Sequence, residues 1–172
     1  MVTPIFRKPV MSQPIQDTED LIDHLKPLLE KILSNEVSRI YYGDIGVYLP
    51  THFIGPRKQN QAVLVLQPAY DRLEQRVASQ ETRLIGIDII GLVNMTPYFK
   101  ANPDEAFGER QLSDIMKKVR VFLTQQENVN LDGRVQYLSV EDIRWSWIQR
   151  DNLSLRGASL TVEVRIKVNR MG

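Results

Sequence analysis

A chain of 172 residues, 42% hydrophobic and 25% charged, is large and apolar enough for one domain with a sizeable core, which excludes wholesale disorder. Its 22 Lys and Arg against 21 Asp and Glu leave a formal net charge of +1, without the basic excess of most nucleic-acid binders. The absence of cysteine excludes disulfides, thiolate catalysis and cysteine-ligated metals. No apolar run reaches the roughly 18 residues of a membrane span.

The first stretch, "MVTPIFRKPVMSQPIQ", holds Pro4, Pro9 and Pro14 and no continuous apolar run of the kind a signal peptide needs. It is expected as an extended arm, residues 1–16, ahead of a single domain over 17–172. "DTEDLIDHLKPLLEKIL" predicts a helix. Asp17 or Thr18 suits the N-cap, and acidic residues fill the first turn. Leu21, Leu25, Leu28 and Ile32 form its stripe, thickened by Ile22, Leu29 and Leu33. Pro27 predicts a kink or a restart.

"VSRIYYGDIGVYLP" reads as a short strand, a turn at Gly43, Asp44 and Gly46, and a second extended piece; "THFIGPRKQN" reads as loop. "QAVLVLQP" predicts a strand buried on both faces and stopped by Pro68. "AYDRLEQRVASQ" is ambiguous between a loop and a short helix. In the strand "ETRLIGIDIIGLVN", Ile85, Ile87, Ile89 and Gly91 share the more apolar face, which puts Asp88 on the less buried one. Residues 95–107 form a long surface connection bearing Tyr98 and Phe99.

"GERQLSDIMKKVRVFLTQQ" is a second amphipathic helix, with Leu112, Ile115, Met116, Val119, Phe122 and Leu123 at helical spacing. A turn at Asp132-Gly133 leads to two extended segments, "RVQYLSVEDIRWSWIQ" and "NLSLRGASLTVEVRIKVN", joined through "RDN". Glu141 and Asp142 mark a bulge or bend in the first. In the second, Leu160, Val162, Val164, Ile166 and Val168 alternate with Thr161, Glu163, Arg165 and Lys167. The predicted fold class is α+β: a mainly antiparallel β-sheet with helices packed on one face and a closing C-terminal β-hairpin.

Catalytic signals are poor. His24 and His52 lie in different elements without a second ligand and read as solvent-facing side chains. Asp17, Glu19 and Asp20 suit a helix start rather than acid–base work. Neither a nucleophile elbow nor a phosphate-binding glycine loop is present, and "GDIG" reads as a turn. The expectation is therefore no catalytic, cofactor or metal site, and no enzyme. "RWSWIQR" is the one aromatic-basic cluster. Trp145 and Trp147 share one strand face; Arg144, Ser146 and Ile148 take the other. Such residues favour packing or a protein interface. The alternative is stacking on single-stranded bases.

The order of elements, the size of the chain, and the arginine-bearing final strand "LTVEVRIKV" after "RGAS" resemble the tail terminator proteins of long-tailed bacteriophages over roughly residues 17–168. The resemblance implies a structural protein of the virion tail and neck, assembled in the host cytoplasm. It implies a hexameric ring that caps the tail tube and presents its other side to the head-completion or neck protein. DNA passes through the lumen without sequence-specific binding. Thr161, Glu163, Arg165 and Lys167, with Trp145 and Trp147, are then the candidate subunit-interface residues. Glu163 is expected to pair with Arg165 or Lys167 across a rotated neighbour. Tyr98 and Phe99 are the candidate contact with a tube or neck protein. Another head–tail connector or neck adaptor is the alternative; a single-stranded nucleic-acid module follows it.

Overall fold

A computed structural model of the chain describes residues 13–43, 62–95, 107–125, 130–150 and 153–169. Among these residues two helices, α1 (Thr18–Ile32) and α2 (Phe107–Thr124), accompany a six-stranded sheet. Its strands are β1 (Val37–Tyr42), β2 (Ala62–Val77), β3 (Gln80–Asn94), β4 (Tyr137–Val140), β5 (Arg144–Arg150) and β6 (Leu153–Asn169). The order across the sheet is β1-β2-β3-β6-β4, and β5 also pairs with β6. β1 runs parallel to β2; every other pairing is antiparallel. The mixed fold and mainly antiparallel sheet agree with the sequence reading.

The side chain of Asp17 caps α1 by accepting from the Asp20 amide at 2.8 Å, and Asp20 reaches back to the Gln16 amide at 3.0 Å. The helix runs through Pro27 without a restart. Leu21, Ile22, Leu25 and Leu29 are buried on both sides of it, which outweighs the one missing backbone bond. Just before the helix, Ile15 is buried and its amide donates to the Arg134 carbonyl at 3.0 Å, so the end of the expected arm is tied to the core.

Ala62 to Leu66 are all buried because the sheet has apolar cover on both sides here. Leu64 and Leu66 join Ile85, Ile87 and Ile89 of β3, Leu160, Val162 and Val164 of β6, and the buried residues of both helices in one large cluster. Val63 and Val65, of the other parity, join Leu92 and Leu155 in a smaller one. Burying each such side chain contributes on the order of 2 kcal/mol. Gly91 lets α2 approach β3: a β-carbon there would lie 2.7 Å from Leu112 Cδ1.

"AYDRLEQRVASQ" is neither loop nor helix. It is the second half of β2, with a two-residue turn at Ala78 and Ser79 before β3. Register shifts at Ala69 and Glu74 break its alternation, which hides the strand from a period-two reading. Residues 141–143 separate β4 from β5, at the bend expected around Glu141 and Asp142. Asp132 and Gly133 turn the chain at φ 59 and 81. His52, Tyr98 and Phe99 lie outside the described residues.

Candidate functional site

The alternation of β6 splits its neighbours between the two sides of the sheet. Thr161, Glu163, Arg165 and Lys167 lie opposite the large cluster, and the first three are engaged within the chain. The Thr161 hydroxyl, only 4% exposed, donates to Asp88 Oδ1 at 2.6 Å and accepts from Arg144 at 3.0 Å. Glu163 accepts a hydrogen bond from the Tyr70 hydroxyl and lies 3.5 Å from Arg72. Arg165 donates to Glu74 at 2.6 Å and stacks over the Tyr137 ring, 4.7 Å from its centroid. Lys167 is exposed and has no ion-pair partner among the described residues.

The Tyr70–Glu163 bond spans three strands and depends on a glycine. Tyr70 is opposite Gly86 on β3, and Gly86 is opposite Glu163 on β6. With no side chain at Gly86, the phenol crosses β3 and reaches the carboxylate. Burial, then the bond to Glu163 and the charge of that carboxylate, push the Tyr70 pKa up to about 12, so the phenol keeps its donor proton. The pairing expected for Glu163 with Arg165 or Lys167 concerns another copy; within the chain Glu163 and Arg165 have other partners. Both reach to β2 instead, and a neighbour would meet compensated charge.

Trp145 and Trp147 lie on the other side of the sheet, opposite Ala158 and Arg156 of β6. The Arg156 guanidinium serves both indoles, 5.1 Å from the Trp145 ring centroid and 4.8 Å from that of Trp147. Its Nε pairs with Glu109 of α2 at 2.9 Å, and an Nη donates to the Ser146 carbonyl at 3.2 Å. The indoles stay 41% and 48% exposed. They are thus half-open apolar anchors, lying against a guanidinium that β6 carries and that Glu109 of α2 pairs. The six expected interface residues form two groups on opposite faces; Arg144 of β5, of the other parity from the indoles, bonds Thr161. Arg156 was missed by sequence reasoning. Its sole signal was sharing the parity of Ala158 and Leu160 while being charged.

Among the described residues no group of three His, Asp or Glu side chains could hold a metal ion. His24 is half-buried rather than solvent-facing, with its pKa lowered by burial and by the charge of Arg134, against an opposing effect of Asp132. No described helix is long and apolar enough to cross a membrane. No protein-family model matches the chain, and no curated protein matches its sequence.

Proposed function

We propose that this chain is a structural ring subunit of a phage tail, a terminator that caps the tail tube and joins it to the head-completion or neck protein. The observation that carries this reading is the Trp145–Arg156–Trp147 cluster. Two half-exposed indoles stand on β5, which has no further strand on its outer side among the described residues, and both lie against the guanidinium of Arg156 on β6. Exposed aromatics placed in this way suit a protein contact. The finer architecture belongs to the same reading: both helices cover the side of the large cluster, and β5 with β6 closes the fold as a hairpin. Copies associate as a hexamer, DNA passes through the lumen, and the 95–107 connection with Tyr98 and Phe99 meets the tube or neck.

The charges favour a protein partner over nucleic acid. Arg156 is paired with Glu109 at 2.9 Å, and Arg144 lies 3.9 Å from Asp88. Neither arginine brings uncompensated charge to a phosphate backbone. Light scattering over a concentration series, with negative-stain images of each species, tests the reading. A six-fold, ring-shaped species supports it; a monomer at every concentration overturns a self-assembling ring. Tight, salt-sensitive binding of single-stranded DNA, lost in Trp145→Ala with Trp147→Ala, would instead favour the nucleic-acid module.

A further inference from the structure

The register of the sheet determines which edges of successive copies match. Three consecutive rows of paired residues cross it from β1 to β5 without a break. They are Arg39–Val63–Leu92–Gly157–Ser146, Ile40–Leu64–Gly91–Ala158–Trp145 and Tyr41–Val65–Ile90–Ser159–Arg144. Among the described residues β1 and β5 therefore end the sheet, and they do so at the same height. β1 is parallel to β2, and three antiparallel steps lead from β2 to β5, so β1 and β5 run in opposite directions. Rotation about an axis along the strands would bring β1 of one copy beside β5 of the next in antiparallel orientation.

We propose that this contact joins neighbouring copies into one continuous sheet, with Ile40 opposite the neighbour's Trp145 and Tyr41 opposite the neighbour's Arg144. The proposal deepens the ring reading and rests on it. Three observations carry it.

The faces match. Ile40 belongs to the large cluster, on the same side as Trp145 and Trp147, and would meet an indole. Tyr41 packs on the smaller cluster, as does Ile148 of β5, so that apolar band reaches both edges and would run on between copies. On the same side, Arg144 would approach the Tyr41 ring, against which Arg39 already lies at 4.8 Å.

The rest of the sheet is guarded. Beyond Leu66, where no described strand pairs with its outer edge, β2 carries Pro68, register shifts at Ala69 and Glu74, and the charges of Asp71, Arg72 and Arg76. These are the devices that discourage edge-to-edge pairing. β4 is only four residues long. β5 has neither proline nor register shift and carries the exposed indoles beside Arg144; the one register shift of β1, at Ser38, lies outside the three matched rows.

The two edges differ in sequence, so the contact is heterologous. It closes into a ring when the rotation closes and makes a filament when it does not.

The cysteine-free chain makes the test clean. Arg39 and Ser146 are both exposed and would stand opposite each other across the contact. Within one chain β1 and β5 are four strand spacings apart, about 19 Å, too far for a disulfide. Mild oxidation of the full-length Arg39→Cys, Ser146→Cys variant is expected to give a ladder of covalent multimers ending in a closed ring. Each single-cysteine variant, and Arg39→Cys with Gln149→Cys, should stay unlinked. Ring particles without cross-links would overturn this contact and leave the ring reading standing. Cross-linked filaments of indefinite length would support the contact and overturn the closed ring. Cross-linking of Ser146→Cys alone would mean two β5 strands meet, which overturns the proposal. A variant that folds, stays monomeric and never cross-links would overturn both.

Discussion

The ring of Tyr70 lies over Gly86, so close that a β-carbon on Gly86 would come within 2.5 Å of Cε1 and Cζ of the ring. Gly86 sits in mid-strand at a position where alanine would ordinarily be the more stable choice. Here the sign is reversed. Gly86→Ala must displace the phenol and break its bond to Glu163. The expected cost is about 1–3 kcal/mol, read as a lower urea midpoint at unchanged slope. In a Tyr70→Ala background the same substitution should cost little, and the double-mutant cycle measures the coupling. A raised midpoint in the single variant would contradict the arrangement.

That contact also marks where sequence reading stops. The parity of Trp145 and Trp147 against Arg144, Ser146 and Ile148 is visible in seven letters, because strand alternation is local. So is the face shared by Ile85, Ile87 and Ile89. The partner of Glu163 is not visible, since Tyr70 is 93 positions away and reaches it through two register relationships. Arg156 looked like one more charge in "LRGAS"; its role needs β5, β6 and α2 together. The second half of β2 was obscured because two bulges and a solvent-exposed course remove the apolar alternation that announces a strand.

Glu81 is the buried acid of the β2–β3 hairpin, 1% exposed, held by Arg76 Nε at 3.0 Å and by Arg83 at 3.1 Å. Arg83 also donates to Asp71 at 2.7 Å. Glu81→Ala leaves Arg83 without one of its two partners. Both arginines keep some access to water, which holds the expected loss to about 2 kcal/mol, below that of a fully buried pair. Asp142→Ala supplies the contrast. Asp142 is 92% exposed in its pair with Arg120, so that variant should leave the denaturation midpoint unchanged. Equal effects from the two would mean that Glu81 is not the buried anchor of the hairpin.

Ala78 opens the β2–β3 turn at φ 53, a left-handed conformation that costs an L side chain about 1 kcal/mol and glycine almost nothing. Ala78→Gly relieves that strain but gives the unfolded chain more freedom, which offsets part of the gain. The net expectation is a stabilisation of up to about 1 kcal/mol. Thermal unfolding checks it, and a lower Tm would show that the alanine is not strained there.

His24 gives the fold an acid sensitivity whose direction follows from its surroundings. Burial and the positive charge of Arg134 lower its pKa below the usual 6.5, with Asp132 opposing. As pH falls past 6.5, the unfolded chain binds a proton on this imidazole before the folded one does. Stability is therefore full above that value, declines as pH falls through the folded-state pKa, and loses nothing further from this group below it. Carboxylates add their own dependence at lower pH, so the informative quantity is the difference between the native chain and His24→Gln. Chemical denaturation at about pH 7.5 and about pH 5 should show the native chain losing more stability on acidification than the variant. Arg134→Gln should reduce the loss without abolishing it, because burial, the larger cause, remains. Equal losses in the native chain and His24→Gln would mean that the imidazole titrates alike in the folded and unfolded states.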